Sequence, residues 1–166
     1  MTAPEQRQAV IREAFTWRGT PFEYGQCVKG FGVDCGRSIA SWLNASGAHS
    51  IDIAGLPQLS PQWFMHRSDE SFLNQVRRFA VEYRLAPGPL LDLWSGPVKR
   101  LPDPADIVVA KCGRDFAHSA LVILWPMVIG AACEHQVTVW KNIFRSPQFG
   151  ARELKFFDPF PEIADV

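Results

Sequence analysis

The chain has no charge imbalance. Its 17 Lys and Arg residues match its 17 Asp and Glu residues, so the formal net charge is zero. This removes the basic surface on which nucleic-acid binding rests, and no nucleic-acid partner is expected. Paired cysteine spacings are missing too. The four cysteines stand at positions 27, 35, 112 and 133 with no Cys-x-x-Cys pair, which indicates neither a zinc site nor a disulfide framework. No metal, no cofactor and free thiols are the expectation. Nor is there a long unbroken apolar run. The most apolar stretch, Ala117 to Cys133, is interrupted by Pro126 and reads as a strand pair, whereas a membrane span needs about 20 apolar residues. The start, Met1 to Arg18, is polar and lacks the apolar core of a signal peptide, so synthesis and folding in a cytoplasm are expected. Internal repeats and low-complexity linkers are absent.

What is present is the material of a globular domain. Hydrophobic residues make up 47% and charged residues 20% of 166 residues, a length that fits one domain spanning 1–166. Thr2, Pro4 and Glu5 resemble a capping box ahead of Val10, Ile11, Ala14 and Phe15 at helical spacing, with an end expected at Gly19-Thr20-Pro21. Gly19 to Asp34 is glycine-rich and reads as a loop. It leads into a second helix whose apolar stripe is Ile39, Ala40, Trp42 and Leu43, ended by Asn44 and Gly47. Pro61 opens a short helical turn with Trp63 and Phe64, and Phe72, Leu73, Val76, Phe79, Ala80 and Tyr83 read as one further amphipathic helix. Proline and glycine dominate Pro87 to Pro104. Short strands are then expected at Ile107 to Ala110, His118 to Leu124, Met127 to Cys133, Gln136 to Trp140 and Arg152 to Phe157. The apolar tail Phe156 to Pro161 either closes the core or docks on another protein. Helices first and neighbouring strands afterwards define an α+β fold with N-terminal helices packed on a small antiparallel sheet.

Cys35 opens the second helix. The partial positive charge at a helix N-terminus lowers a thiol's pKa, and the free backbone N–H groups there can stabilise an oxyanion. His118, opening a later strand, is placed to act as the base. Cys27, Cys112 and Cys133 have no helix stripe behind them and rank below Cys35. His49 and His66 lack spaced partners and are assigned no chemistry. Asp34 either caps the helix or binds a substrate amine. Asp106 reads as a turn residue.

These residues resemble the NlpC-type cell-wall peptidases, a papain-like family that cleaves peptidoglycan stem peptides. Its Gly-x-Asp-Cys-Ser-Gly motif is matched by Gly32-Val33-Asp34-Cys35-Gly36-Arg37. Trp17 to Phe22 and Val28 to Cys35 are most similar to the branch encoded by tailed phages and gene transfer agents. Pro61-Gln62-Trp63, Pro104 to Val108 and His118 to Val122 extend the similarity over nearly the whole chain. The resemblance implies a papain-like cysteine endopeptidase acting on peptides with D-amino acids. It would be carried on a phage-like tail, partnered by tail-tip or baseplate proteins, and would open the cell wall locally during DNA delivery.

The resemblance also marks departures. Ser-Gly after the nucleophile is replaced by Gly36-Arg37, and Arg37 is a candidate contact for an acidic substrate. Phe22 stands where the family often has tyrosine, with Tyr24 near enough to compensate. Ser119 joins Asp34, Phe22, Tyr24 and Arg37 as a candidate substrate contact. The family's third polar residue, which orients the base, falls on Gly130. His135, Glu134 or Gln136 would replace it if the register shifted by one. A catalytically weakened structural component of a tail tip is the alternative reading.

Overall fold

The computed structural model describes residues 1–85 and 101–161, and the backbone of 98–99. Most of the proline- and glycine-rich stretch between Pro87 and Pro104 lies outside the described residues.

Helix α1 (Ala3–Thr16) begins where the sequence signals it: the Glu5 carboxylate accepts the Thr2 N–H at 2.7 Å. The helix buries Val10 and Ala14 against α2. The following segment holds more than a loop. Strands β1 (Cys27–Val28) and β2 (Gly32–Val33) form a small hairpin, closed by Gly30 at φ +82°. Helix α2 (Cys35–Asn44) is nearly enclosed, with α1 on one side and the sheet on the other, and it buries Ile39, Ala40, Trp42 and Leu43.

The expected helix from Phe72 to Tyr83 is corrected. Helix α3 covers only Ser71–Val76, and after a turn the chain becomes strand β3 (Val81–Leu85). The apolar spacing fits a helix, but Val81 to Leu85 also alternates with period two. Pairing of Val81, Glu82 and Tyr83 with β9 (Leu154–Asp158) satisfies the backbone there, and tertiary pairing overrides local propensity.

The remaining strands are β4 (Val98–Lys99), β5 (Ile107–Cys112), β6 (Asp115–Leu124), β7 (Met127–Ala131) and β8 (Val137–Trp140). Together with β3 and β9 they make a seven-stranded sheet in the order β4-β3-β9-β5-β6-β7-β8. Its pairings are antiparallel except β3 with β4, which is parallel, so the sheet is larger and less uniform than the sequence suggests. One face packs on the helices through Ile107, Val109, Leu121, Ile129 and Phe157. The other face carries Val108, Ala110, Ala120, Val122, Phe149 and Phe156. The tail closes the core, with Phe160 buried against the helical side.

Asp106 is more than a turn residue. Fully buried, it accepts hydrogen bonds from Arg7 (2.8 Å), the Tyr83 hydroxyl (2.6 Å) and the Asp103 N–H (2.9 Å), and Arg7 also meets Asp158 at 2.6 Å. This network fastens α1 to the sheet.

Candidate active site

Cys35 is the first residue of α2, and Asp34 is its cap. Asp34 Oδ1 accepts the Arg37 N–H at 2.8 Å, while Oδ2 accepts Arg37 Nη1 at 2.8 Å and the Gly25 N–H at 2.9 Å. The other Arg37 amine donates to Leu56 O at 2.9 Å. Both side chains are buried. They form an internal ion pair that fixes the helix start and the loop before it, and both also line the cavity at Cys35. With the Arg37 and Ser38 N–H groups taken by Asp34, the first-turn donors at Cys35 and Gly36 are the ones positioned for an oxyanion.

Strand β6 meets this helix end through a bulge. Ala110 pairs with His118 but Lys111 pairs with Phe116, which leaves Ala117 unmatched. Such a bulge inverts the side-chain alternation and frees a backbone group. Ala117 O accepts the Cys35 thiol at 3.6 Å, and Ser119 Oγ donates to Cys35 O at 3.1 Å. The two neighbours of His118 thus hold Cys35. Ser119, expected to touch substrate, is buried, holds the nucleophile's backbone carbonyl and also lines the cavity.

His118 lies on the face of β6 that carries Ala120 and Val122. Its ring is 4.7 Å from that of Phe149 and 6.3 Å, edge-on, from that of Trp140. Burial in this aromatic surround lowers its pKa to about 4; the neighbouring Gln148 side chain opposes the shift and the Arg152 charge adds to it. Nε2 has no hydrogen-bond partner among the described residues. The Cys35 pKa is pushed up to about 12, chiefly by burial and then by the Asp34 charge, against hydrogen bonds from Ser119. Both groups are therefore neutral near pH 7.

The third position carries no side chain. A Cβ on Gly130 would lie 3.0 Å from both Ala120 Cβ and Ser119 O, so a side chain there would push β6 and β7 apart by a few tenths of an ångström. His135 does not take over the role: it sits on the exposed β7–β8 turn, where its carbonyl accepts the Phe22 N–H at 2.8 Å. Glu134 and Gln136 are exposed on the same turn. The polar neighbour of the base is Gln148, which sequence reasoning missed. Its Oε1 accepts the Cys133 N–H at 3.2 Å and its Nε2 donates to Cys133 O at 3.4 Å, tying the segment after β8 to the end of β7. No sequence signal marks it, because it follows an irregular turn some thirty residues beyond His118.

Phe22 and Tyr24 pack edge-on at 4.9 Å, and the Tyr24 hydroxyl meets Cys133 Sγ at 3.6 Å. Burial raises the Tyr24 pKa, with smaller contributions from Cys133 and from Cys35. Tyr24, Phe22, Cys35, His118, Cys133, His135 and Gln148 all line a single cavity of about 550 Å³. Cys112 reaches it too, whereas Cys27 turns toward Arg37 O at 3.6 Å. His49 bonds Pro159 O at 2.9 Å, and His66 is exposed. Among the described residues no cluster of His, Cys, Asp and Glu is arranged to hold a metal, and no helix is long and apolar enough to cross a membrane.

A helix that presents a cysteine to an antiparallel sheet carrying a histidine is the papain-like α+β architecture. Within it, the NlpC/p60 domain of the peptidoglycan hydrolase SagA has the same fold, with a TM-score of 0.53 at 16% identity over 90% of this chain and 96% of that one. An NlpC/p60 family protein from Bacillus cereus ATCC 10987 matches over 90% of this chain and 39% of that one, with a TM-score of 0.49 and 15% identity. No family model and no curated protein matches by sequence.

Proposed function

We propose that the protein is a cysteine endopeptidase of peptidoglycan stem peptides, with Cys35 as nucleophile and His118 as base. The observation that carries this reading is that the two line one cavity, with Cys35 at the start of a helix. Substrate entry displaces the thiol from Ala117 O. Neutral His118 takes its proton, the sulfur attacks the peptide carbonyl, and the Cys35 and Gly36 N–H groups receive the oxyanion. His118 then protonates the leaving amine, and water releases the acyl-enzyme. Gln148 replaces the missing side chain at Gly130 by holding the imidazole. The likeness of Val28 to Cys35 and of His118 to Val122 to the phage and gene transfer agent branch supports a place on a phage-like tail, beside tail-tip or baseplate proteins. There the enzyme would open the cell wall locally during DNA delivery.

Digestion of purified peptidoglycan by the wild type and by Cys35→Ala, with fragments identified by mass spectrometry, tests this reading. Peptide fragments should be released by the wild type alone; identical patterns from both would overturn it. The missing side chain at Gly130 and the thiol bonded to backbone favour a second reading, a tail-tip component without catalysis, in which neither protein releases fragments and both assemble into particles.

A further inference from the structure

The cavity at Cys35 extends away from His118 into an apolar recess. Its wall there is Leu56, Leu59, Trp63, Phe64, Phe72 and Phe79, all at least partly buried. Phe72 lies directly over the nucleophile's helix: a Cβ on Gly36 would stand 2.9 Å from the Phe72 ring, so glycine at that position is what lets the aromatic wall reach the helix start. The charged residues nearest this recess, Asp34 and Arg37, neutralise each other at 2.8 Å. Glu134, His135 and Arg152 stand exposed at the cavity's other end. The recess therefore offers no unpaired charge to a carboxylate, and its volume is in the range of sites that enclose small ligands, about 300–1,000 Å³.

The two ends of the cavity also differ in chemistry. The leaving group must lie beside His118, which protonates it, and His118 lines the cavity together with the polar Gln148, Glu134, His135 and Arg152. Phe72 and Phe79 pack against the helical side of the sheet. The acyl half of the substrate is thus the half that meets the apolar wall.

We propose that this recess is an acyl-side specificity pocket for an extended apolar group, so that Cys35 is acylated preferentially by substrates with a long aliphatic or aromatic acyl portion. The inference rests on Cys35 and His118 acting as nucleophile and base, and it extends the substrate class beyond the polar stem peptides.

A ladder of p-nitrophenyl esters from acetate through butyrate to octanoate tests it. Cys35 Sγ bonds to the carbonyl carbon, the C–O bond breaks with its electron pair leaving on nitrophenolate, and the thiol proton passes to His118. Water then cleaves the thioester, releasing the carboxylic acid and restoring the thiol. The expected result is a rise in kcat/KM of roughly two- to fourfold per methylene, absent in Cys35→Ala. Leu59→Asp, a change in a loop residue outside the fully buried core, should flatten the ladder by selectively slowing octanoate, with circular dichroism confirming the fold. Rates that are flat or fall with chain length, an unaltered ladder in Leu59→Asp, or no acylation by any ester would each overturn the pocket. Peptidoglycan cleavage with a flat ladder would remove the pocket alone, and a rising ladder without peptidoglycan cleavage would remove the stem-peptide reading alone.

Discussion

His118 is held by groups that the pattern of its own strand does not name. Phe149 and Trp140 wrap the ring, and Gln148 is its polar neighbour. Removing that neighbour in Gln148→Ala should lower kcat on the order of 10²-fold with KM little changed, short of the loss on removing the base itself. Gln148→Glu should move the acid limb of the pH–rate profile upward from about 4, because a carboxylate favours the imidazolium. A merely structural Gln148 would leave that limb in place. Burial of His118 in neutral form also links stability to pH. Its folded pKa of about 4 lies below the ordinary 6.5, so as pH falls the unfolded chain binds the proton first. Stability present above pH 6.5 is lost toward pH 4 by about 3 kcal/mol, and urea unfolding should show this component absent from His118→Phe.

The start of α2 and the β5–β6 bulge set the element scale. Asp34 at the cap and the stripe from Ile39 to Leu43 were readable, because caps and period-3.6 patterns are local properties of sequence. The burial of Asp34 with Arg37 was not, since it depends on Leu56 and Gly25 arriving from elsewhere. Asp34→Ala leaves Arg37 buried without its partner and should destabilise the fold by about 3–5 kcal/mol in denaturant unfolding, whereas a substrate-binding role would raise KM at unchanged stability. The bulge at Ala117 was equally hidden: one unmatched residue leaves no trace in hydrophobic alternation, yet it decides which face His118 occupies. The close β6–β7 approach makes Gly130 a packing residue. Gly130→His should cost about 1–3 kcal/mol in thermal or chemical unfolding and should not raise activity.

At the scale of the molecule, the α+β class and the positions of β5 to β9 along the chain followed from the placement of apolar runs, and the NlpC/p60 fold of the SagA domain agrees in class. The exchange of a long third helix for α3 and β3 was hidden because the helical spacing of Phe72 to Tyr83 overlaps the period-two alternation of Val81 to Leu85, and only β9 chooses between them. The same long-range packing produces the cavity, where Cys35 and the less buried Cys133 both present thiols. Which sulfur carries the acyl group is therefore the most direct question. Acid-quenching the protein during turnover of a peptidoglycan peptide and mapping the adduct by mass spectrometry answers it. An acyl thioester on Cys35 in the wild type and none in His118→Ala is expected, while an adduct on Cys133, or one on Cys35 that forms equally well without His118, would rule out the Cys35–His118 pair.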